Sequence, residues 1–535
     1  MDLRNSNLQK LDGEDFDVLI VGGGINGAVS AAALSAQGAR VAIIDAGDFG
    51  GETSSHSSNL AWGGIKYLES WEFPLVWNLC KSRNHLMRNY PSTVREIRFL
   101  TTIEKGFRFH PLLVYCGSLL YWVMGRFATK PPVYMSRGGL SRREPRIDGG
   151  AATAGIEYSD CYLHDNDARF VFRFVRTAMD YGAIAANYVR ADDARFENDR
   201  WHVDVTDVEN GRSFDVKARV IVNACGPWVD GFNETLKVET RSRHAYSKGV
   251  HLLVDRVTEE RRVLAFFASD GRLFFVIPMG PKTCIGTTDT RVEGPEVSVS
   301  EDDRQFILDN ANEMLQLDDP ITADDIIAER CGVRPLVVED GDDTGDWVSL
   351  SRKHVVETDD RKRVISVFGG KLTDCLNVGE EVAGLCEDRG VGLPYRGRRW
   401  YGEPGEKVRE EFFHQARLMG LDEMADPRAS EPLSERFWRR YGRSGFEMLE
   451  SIRANPDMAK RMIDSAEYLR CEILQTGRRE MICKLDDFLR RRSKISLVVP
   501  REEWIDSDGL RDVCVALFGD AADEKLAEYK AMSDG

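Results

Sequence analysis

The stretch "DFDVLIVGGGINGAVSAAALSAQGARVAIID", residues 15–45, constrains this chain more than any other. Val18 to Val21 form a short apolar run, the pattern of a strand buried on both faces. Gly22, Gly24 and Gly27 follow in G-x-G-x-x-G spacing. An alanine-rich helix comes next, and "RVAIID" predicts a second strand ending at Asp45. In such a βαβ unit Gly22 permits the tight turn, Gly24 lets the backbone approach a pyrophosphate, and Gly27 lets helix and strand pack closely. The helix N-terminus, opened by Ile25 and Asn26, faces the phosphates. Asp45 stands where a carboxylate accepts hydrogen bonds from a ribose diol and repels a 2′-phosphate. This fingerprint alone does not separate NAD from FAD.

At 535 residues the chain is too long for one small core, so two or three domains are expected. Its net charge of -16 argues against a general nucleic-acid binder, because the phosphate backbone would be repelled. An anionic substrate would need a local cationic pocket. The eleven cysteines include no C-x-x-C pair and no His/Cys cluster at zinc spacing, so no metal site is expected and a reducing cytoplasm fits. The polar, acidic N-terminal stretch does not read as a signal peptide. No uncharged apolar run reaches the length of a membrane span.

Two further segments carry the same nucleotide-domain character. "ARVIVNACGPWVD", residues 218–230, reads as another buried strand running into Gly-Pro-Trp. "KRVISVFGGKLTDCLNVGEEVAGLC", residues 362–386, reads as strand, Gly-Gly turn and helix, with the Gly369 and Gly370 amides free to point at a ligand. Between them, residues 240–330 alternate as strands and turns and predict an antiparallel sheet. From about Arg398 the sequence becomes charged and helix-periodic. The expected fold is α/β: a discontinuous nucleotide-binding domain over residues 1–70, 151–240 and 331–392, a substrate domain over 71–150 and 241–330, and a helical domain over 393–535.

The blocks "TSSHSSNLAWGGIKYLE", "IEYSDCYLHDNDAR", "VNACGPWVD", "FFVIPMGPKTCIGTTDT", "CGVRPL" and "SVFGGKLTD" follow the fingerprint in order. Together they resemble the FAD-dependent glycerol-3-phosphate dehydrogenases. The resemblance implies a Rossmann-like FAD domain of the glutathione-reductase type, an inserted antiparallel-sheet substrate domain and a C-terminal helical domain. It implies FAD as cofactor and oxidation of sn-glycerol 3-phosphate to dihydroxyacetone phosphate. Thr53, Ser54, Ser55, Ser58 and Asn59 would reach the pyrophosphate and flavin, with Gly63 and Gly64 beyond them. Ala224, Gly226 and Trp228, and the run Gly369, Gly370, Lys371, Leu372 and Thr373, complete the implied cofactor contacts.

Oxidising a secondary alcohol removes a hydride from carbon and a proton from oxygen. FAD takes the hydride at N5, and the protein supplies positioning and a base. His251 in "SKGVH" is the candidate base or polariser, because imidazole has the right unperturbed pKa; the alternative is a satisfied histidine at a strand. By resemblance Arg334, Arg352 and Lys371 belong near substrate and flavin, and Lys66, Tyr67 and Thr288 on the substrate side. Lys248 is a further basic residue inside a matching motif. His56 lines the flavin edge or nothing, and Thr287, Thr288 and Asp289 are either ligand contacts or an ordinary turn. The family usually reads His-Gly-Gly-Leu-Arg where this chain has Trp62-Gly-Gly-Ile-Lys66. Lysine keeps the charge and loses bidentate phosphate recognition. The pocket therefore either holds the phosphate through a point charge or is remodelled for another alcohol, a 2-hydroxy acid or an amine. Cys225 and Cys375 also depart from the family and read as packing changes.

The resemblance implies quinone, or in some members oxygen, as electron acceptor. A cytoplasmic protein, in peripheral contact with the inner face of the cytoplasmic membrane, and a homodimer are both compatible with it. Residues 107–134, apolar and aromatic with basic ends, suit a membrane interface or, alternatively, a buried helix pair. Arg490, Arg491, Arg492 and Lys494 suit contact with anionic lipid or a solvated helix face.

Overall fold

The fingerprint folds into the strand Asp15–Val21, the helix Ile25–Ala36 and the strand Val41–Ile44. The computed structural model describes residues 3–147, 152–268, 271–339, 354–427 and 429–533. The first strand lies in the middle of a sheet ordered from Val355–Asp359 through Val364–Phe368, Ser213–Asn223, Asp15–Val21 and Val41–Ile44 to Ile184–Ala186. The four pairings from Val364–Phe368 onward are parallel, with Val18 opposite both Val220 and Val41. The outermost strand, Val355–Asp359, is antiparallel to its neighbour. All four residues of Val41–Ile44 and all five of Val364–Phe368 are buried, which explains why they are apolar without alternation. The fingerprint helix is buried over almost its whole length, so its small residues are a packing requirement.

Chain contacts divide the protein into two units. The first comprises residues 1–55, 165–246 and 334–535, and the second residues 56–164 and 247–333. The second unit is built on a large, mainly antiparallel sheet in which Val94–Glu104 pairs with Ala152–Leu163 and Leu273–Met279 with Lys282–Gly286. Arg262–Phe267 runs parallel to Val94–Glu104. Leu252, Leu264, Phe274 and Ile285 form its core with Ile307 and Ala311 of the helix Glu301–Met314. That helix opens on a capping box between Ser300 and Asp303. The C-terminal part, from Glu406 to Ser533, is helical, with its own core around Phe412, Leu421, Phe437, Trp438 and Leu449.

Two expectations are corrected. The apolar stretch within 107–134 is not a buried helix pair: in the helix Pro111–Met124, Leu112, Leu113, Leu120 and Val123 are exposed. Nor do Arg491 and Arg492 form a solvated or lipid-facing surface. Arg492 is fully buried and Arg491 nearly so, both engaged with Asp48. A run of cations reads as surface in a sequence when the partner that buries it, here Asp48, is remote in the chain.

The turn after the first strand has no room for a side chain at Gly22, nor the helix behind it at Gly27. Gly22 has φ +101°, and a Cβ there would stand 2.4 Å from the Ala224 carbonyl oxygen; one on Gly27 would stand 1.9 Å from the Gly22 oxygen. Gly22→Ala should cost about 3 kcal/mol or more through backbone strain and displacement of the 222–226 turn. Gly231→Ala, in the helix Val229–Leu236 with open space around its Cα, should be neutral or stabilising by up to about 1 kcal/mol. Denaturant unfolding of the two apoproteins checks the contrast.

Candidate functional site

In the first unit three turns converge on the N-terminus of the fingerprint helix. Gly24 is its N-cap and supplies no side chain, so the cap is made from elsewhere: the Ile25 amide donates to the Ser54 hydroxyl at 3.0 Å. Asn26, in the first turn, donates its side-chain amide to the Gly369 carbonyl at 2.9 Å. This bond ties the fingerprint to the Gly-Gly turn, 343 residues away in sequence. The Asn26 Oδ1 is buried and has no hydrogen-bond partner among the described residues. Gly369 and Gly370 have φ of +59° and +108° and turn the chain into Leu372–Asp374 and the helix Cys375–Asp388. Ala224 closes on Gly22, Gly226 takes φ +57°, and Trp228 is exposed at the start of the helix Val229–Leu236.

Asp45 lies just past the second strand. Its two oxygens accept from the Gly23 amide at 2.6 Å and the Gly47 amide at 2.8 Å. Burial pushes its carboxyl up, the two amide bonds pull it down, and the net value is about 6. Ser55 spends its hydroxyl on the Gly51 and Glu52 carbonyls, while Thr53 opens the same short turn. Cys225 and Cys375 are held as thiols by burial, which pushes both well up, so neither is a nucleophile or redox centre as placed. Lys371, Leu372 and Arg334 are half-buried in this unit and Thr373 is buried. Arg352 lies outside the described residues.

One residue here was not anticipated. His354 bonds Asp374 at 3.0 Å and Glu381 at 2.8 Å, with its Cβ close to Gly370. Burial lowers its pKa, but the two carboxylates outweigh that and raise it to about 9. It is therefore an imidazolium at neutral pH. Its contribution to stability is complete below about 6.5 and is lost as pH rises through 9. A lone histidine in polar sequence, with its acids 20 and more positions on, offers no local signal.

The second unit carries the other candidates. His251 is buried on the strand Ser242–Asp255, opposite Gly286. Thr288 is buried, and its hydroxyl accepts from the Val250 amide, so it secures the strand carrying His251. Asp289 accepts from Ser247. Lys248 is consumed by Asp303 at 2.5 Å. Asn59, at φ +57°, accepts from Arg330 at 2.9 Å and is buried, whereas Ser58 is half-buried. His56 packs against Gly332, where a Cβ would approach its own at 2.6 Å.

The turn bearing Trp62 and Lys66 is held by a buried polar cluster. The Gly63 amide donates to both oxygens of Asp160, which also accepts from Arg83 at 3.1 Å and from the Tyr121 hydroxyl at 2.6 Å. A Cβ on Gly63 would strike that hydroxyl at 2.2 Å, and Gly64 takes φ +80°. Trp62 and Tyr67 pack with ring centroids 5.9 Å apart. Lys66 makes no ion pair among the described residues. It lines an apolar cavity of about 450 Å³ whose walls include Trp62, Phe107, Phe109, Tyr158 and Phe275.

Residues 17–385 match the family model described as FAD dependent oxidoreductase. The chain belongs to that family. Residues 403–504 match a second model, the C-terminal domain of alpha-glycerophosphate oxidase. The aerobic glycerol-3-phosphate dehydrogenase of Bacillus subtilis is 31% identical over 394 residues, covering 72% of this chain and 69% of that protein. The enzyme of the same name from Escherichia coli is 29% identical over 507 residues, covering 92% and 96%. The glycerol-3-phosphate dehydrogenase of Bacillus halodurans, solved as a complex with FAD, superposes with a TM-score of 0.74 at 24% identity, covering 100% of this chain and 96% of that one. It shares the fold.

The residues of the first unit fit FAD, the cofactor of the family. A Cβ on Gly24 would meet only the Ser54 hydroxyl, at 3.3 Å, leaving the backbone open to a pyrophosphate, and the buried Asn26 Oδ1 keeps an acceptor in reserve. Asp45 has lone pairs left for a ribose diol beyond its two backbone bonds. A ribose hydroxyl favours the carboxylate, so a ribose bound there would lower the Asp45 pKa from about 6 and release its proton. FAD affinity should be full above that value and fall by up to about tenfold per pH unit below it. For the apoprotein the sign reverses: a raised carboxyl costs stability as pH rises from about 4 through 6. Titrating apoprotein with FAD between pH 7 and 5 checks this; Asp45→Asn should bind more weakly and lose this component of the pH dependence.

Proposed function

We propose that the chain oxidises sn-glycerol 3-phosphate to dihydroxyacetone phosphate, with FAD accepting the hydride at N5. The observation that carries this is the order of two family matches along one chain, an FAD dependent oxidoreductase model and then the C-terminal domain of alpha-glycerophosphate oxidase. The names of the relatives from Bacillus subtilis and Escherichia coli agree with it.

The residue roles follow from side-chain chemistry. Lys66, with no carboxylate to neutralise it among the described residues, supplies a point charge to the phosphate, and Tyr67 a hydroxyl beside it. By resemblance Arg334 and Lys371 are assigned to the substrate oxygens, where they would stabilise negative charge as the hydroxyl loses its proton. His251 takes that proton; its burial keeps water from competing for it. Thr288 positions the His251 strand. Arg352 is assigned to the phosphate by resemblance alone.

Electrons then leave to a quinone. The support is the apolar, aromatic cavity beside Lys66, whose size and lining suit a lipophilic ring. Among the described residues no helix is long and apolar enough to cross a membrane. The exposed leucines of Pro111–Met124, with Phe127 exposed just beyond them and Trp71 exposed at the rim of the same cavity as Leu113 and Leu120, suit shallow peripheral insertion at the inner face of the cytoplasmic membrane. A homodimer is compatible with the reading and does no work in it.

Two experiments test it. Anaerobic sn-glycerol 3-phosphate should bleach the flavin, and glycerol and 2-hydroxyglutarate should not. Lys66→Ala should raise KM about tenfold, the loss of one charge-assisted contact, with FAD content unchanged. Bleaching by an unphosphorylated acid or amine instead would mean that Trp62 and Lys66 serve a remodelled pocket. Separately, Leu113→Glu with Leu120→Glu should cut co-sedimentation with phospholipid vesicles several-fold while anaerobic bleaching persists. Unchanged sedimentation would reject the peripheral contact.

A further inference from the structure

The C-terminal helical region reaches back to the turn that carries Asp45. Asp48, three residues further on, is fully buried and accepts four hydrogen bonds. They come from Arg491 Nε at 2.8 Å, Arg492 Nη1 at 2.8 Å, Arg492 Nη2 at 2.7 Å and Asn187 at 3.0 Å. The arginines lie 443 and 444 residues away in sequence. They are consecutive residues of a π-helical turn, Asp487–Arg492. In an α-helix neighbouring side chains diverge by about 100°, yet here both guanidinium groups meet one carboxylate.

The contacts continue to the cofactor cradle along two routes. By packing, Arg492 stacks over Phe172 at 4.0 Å, Phe172 lies 6.4 Å from Phe49, and the Phe49 ring presses on Gly23, where a Cβ would meet it at 2.2 Å. By hydrogen bonds, Gly50 donates to the Gly23 carbonyl, Tyr188 to the Gly47 carbonyl and Val189 to the Asp45 carbonyl. The Tyr188 hydroxyl donates to Asp487, which also accepts from Arg491. The segment 45–50 is thus held on one side by the fingerprint turn and on the other by the C-terminal arginines.

We propose that Arg491 and Arg492, through Asp48, are positioning residues for cofactor binding: they set the Asp45 carboxylate at the adenosine ribose of FAD. The proposal rests on the reading of Asp45 as the ribose acceptor. Neither arginine touches the cofactor; their effect passes through the turn 45–50. The C-terminal region therefore completes the dinucleotide site.

The test uses full-length apoprotein titrated with FAD and with an FAD analogue whose adenosine ribose lacks the 2′-hydroxyl. The wild-type chain should bind FAD about tenfold more tightly than the analogue, because the deoxy sugar forfeits a charge-assisted hydrogen bond to the Asp45 carboxylate. Arg491→Gln leaves both Arg492 bonds in place and should fold. It should weaken FAD about tenfold and reduce the discrimination to about twofold. Arg491→Lys should restore part of both. Asp48→Asn should act in the same direction as Arg491→Gln, and if it fails to fold, Arg491→Gln carries the test. A folded Arg491→Gln protein that binds both ligands more weakly but keeps the full discrimination would make the pair a stabilising contact only and overturn the proposal, as would unchanged binding. Absence of discrimination in the wild-type chain would instead refute the reading of Asp45, and the proposal with it.

Discussion

The constraint on which the nucleotide site depends is the backbone-on-backbone contact at Gly22. The space that a methyl group would need is occupied by the Ala224 carbonyl on one side, and the Gly22 carbonyl in turn occupies that of Gly27. Helix, first strand and the turn after Ser213–Asn223 meet there without a side chain between them. Much else depends on this contact. It aims the helix N-terminus, lets Ser54 reach the Ile25 amide, and brings Asn26 within bonding distance of Gly369. Small residues at this junction are what allow a long, charged ligand to be held by main-chain groups.

What could be read in advance follows from range. The glycine spacing, the buried strands and the Gly-Gly turn are local patterns, each enforced by the geometry of a few neighbouring residues, and each formed where the pattern placed it. The place of Asp45, just past the second strand, was legible for the same reason. The Asp160 cluster was not: Gly63, Arg83, Tyr121 and Asp160 are scattered over about a hundred positions, and nothing local marks a buried aspartate among them. Arg491 and Arg492 were misplaced by the same limit. His354 was missed because its acids come from a helix that begins some twenty positions later.

The basic residues show how little residue type alone decides. Lys248 and Lys66 both sit in motifs shared with the family. Lys248 is spent on Asp303 at the start of a helix, whereas Lys66 borders a cavity without an ion pair among the described residues. Arg83, Arg330, Arg436 and Arg492 are among the largest fully buried side chains, each set among carbonyls, amides or carboxylates that offset the cost of leaving water. In a chain of net charge -16, several cations are spent inside the fold, and one left beside a concave apolar wall becomes informative.

The order of strands in the parallel sheet also bears on how the protein is made. Asp15–Val21 pairs with Ser213–Asn223, and that strand with Val364–Phe368. At roughly 5–20 residues per second of synthesis, the first strand waits tens of seconds on the ribosome before its outer neighbours exist. Through that interval Val41–Ile44 can pair with one edge of it, and the edge that awaits Ser213–Asn223 stays open. Such a nascent chain is a natural client for a chaperone that shields unpaired strands.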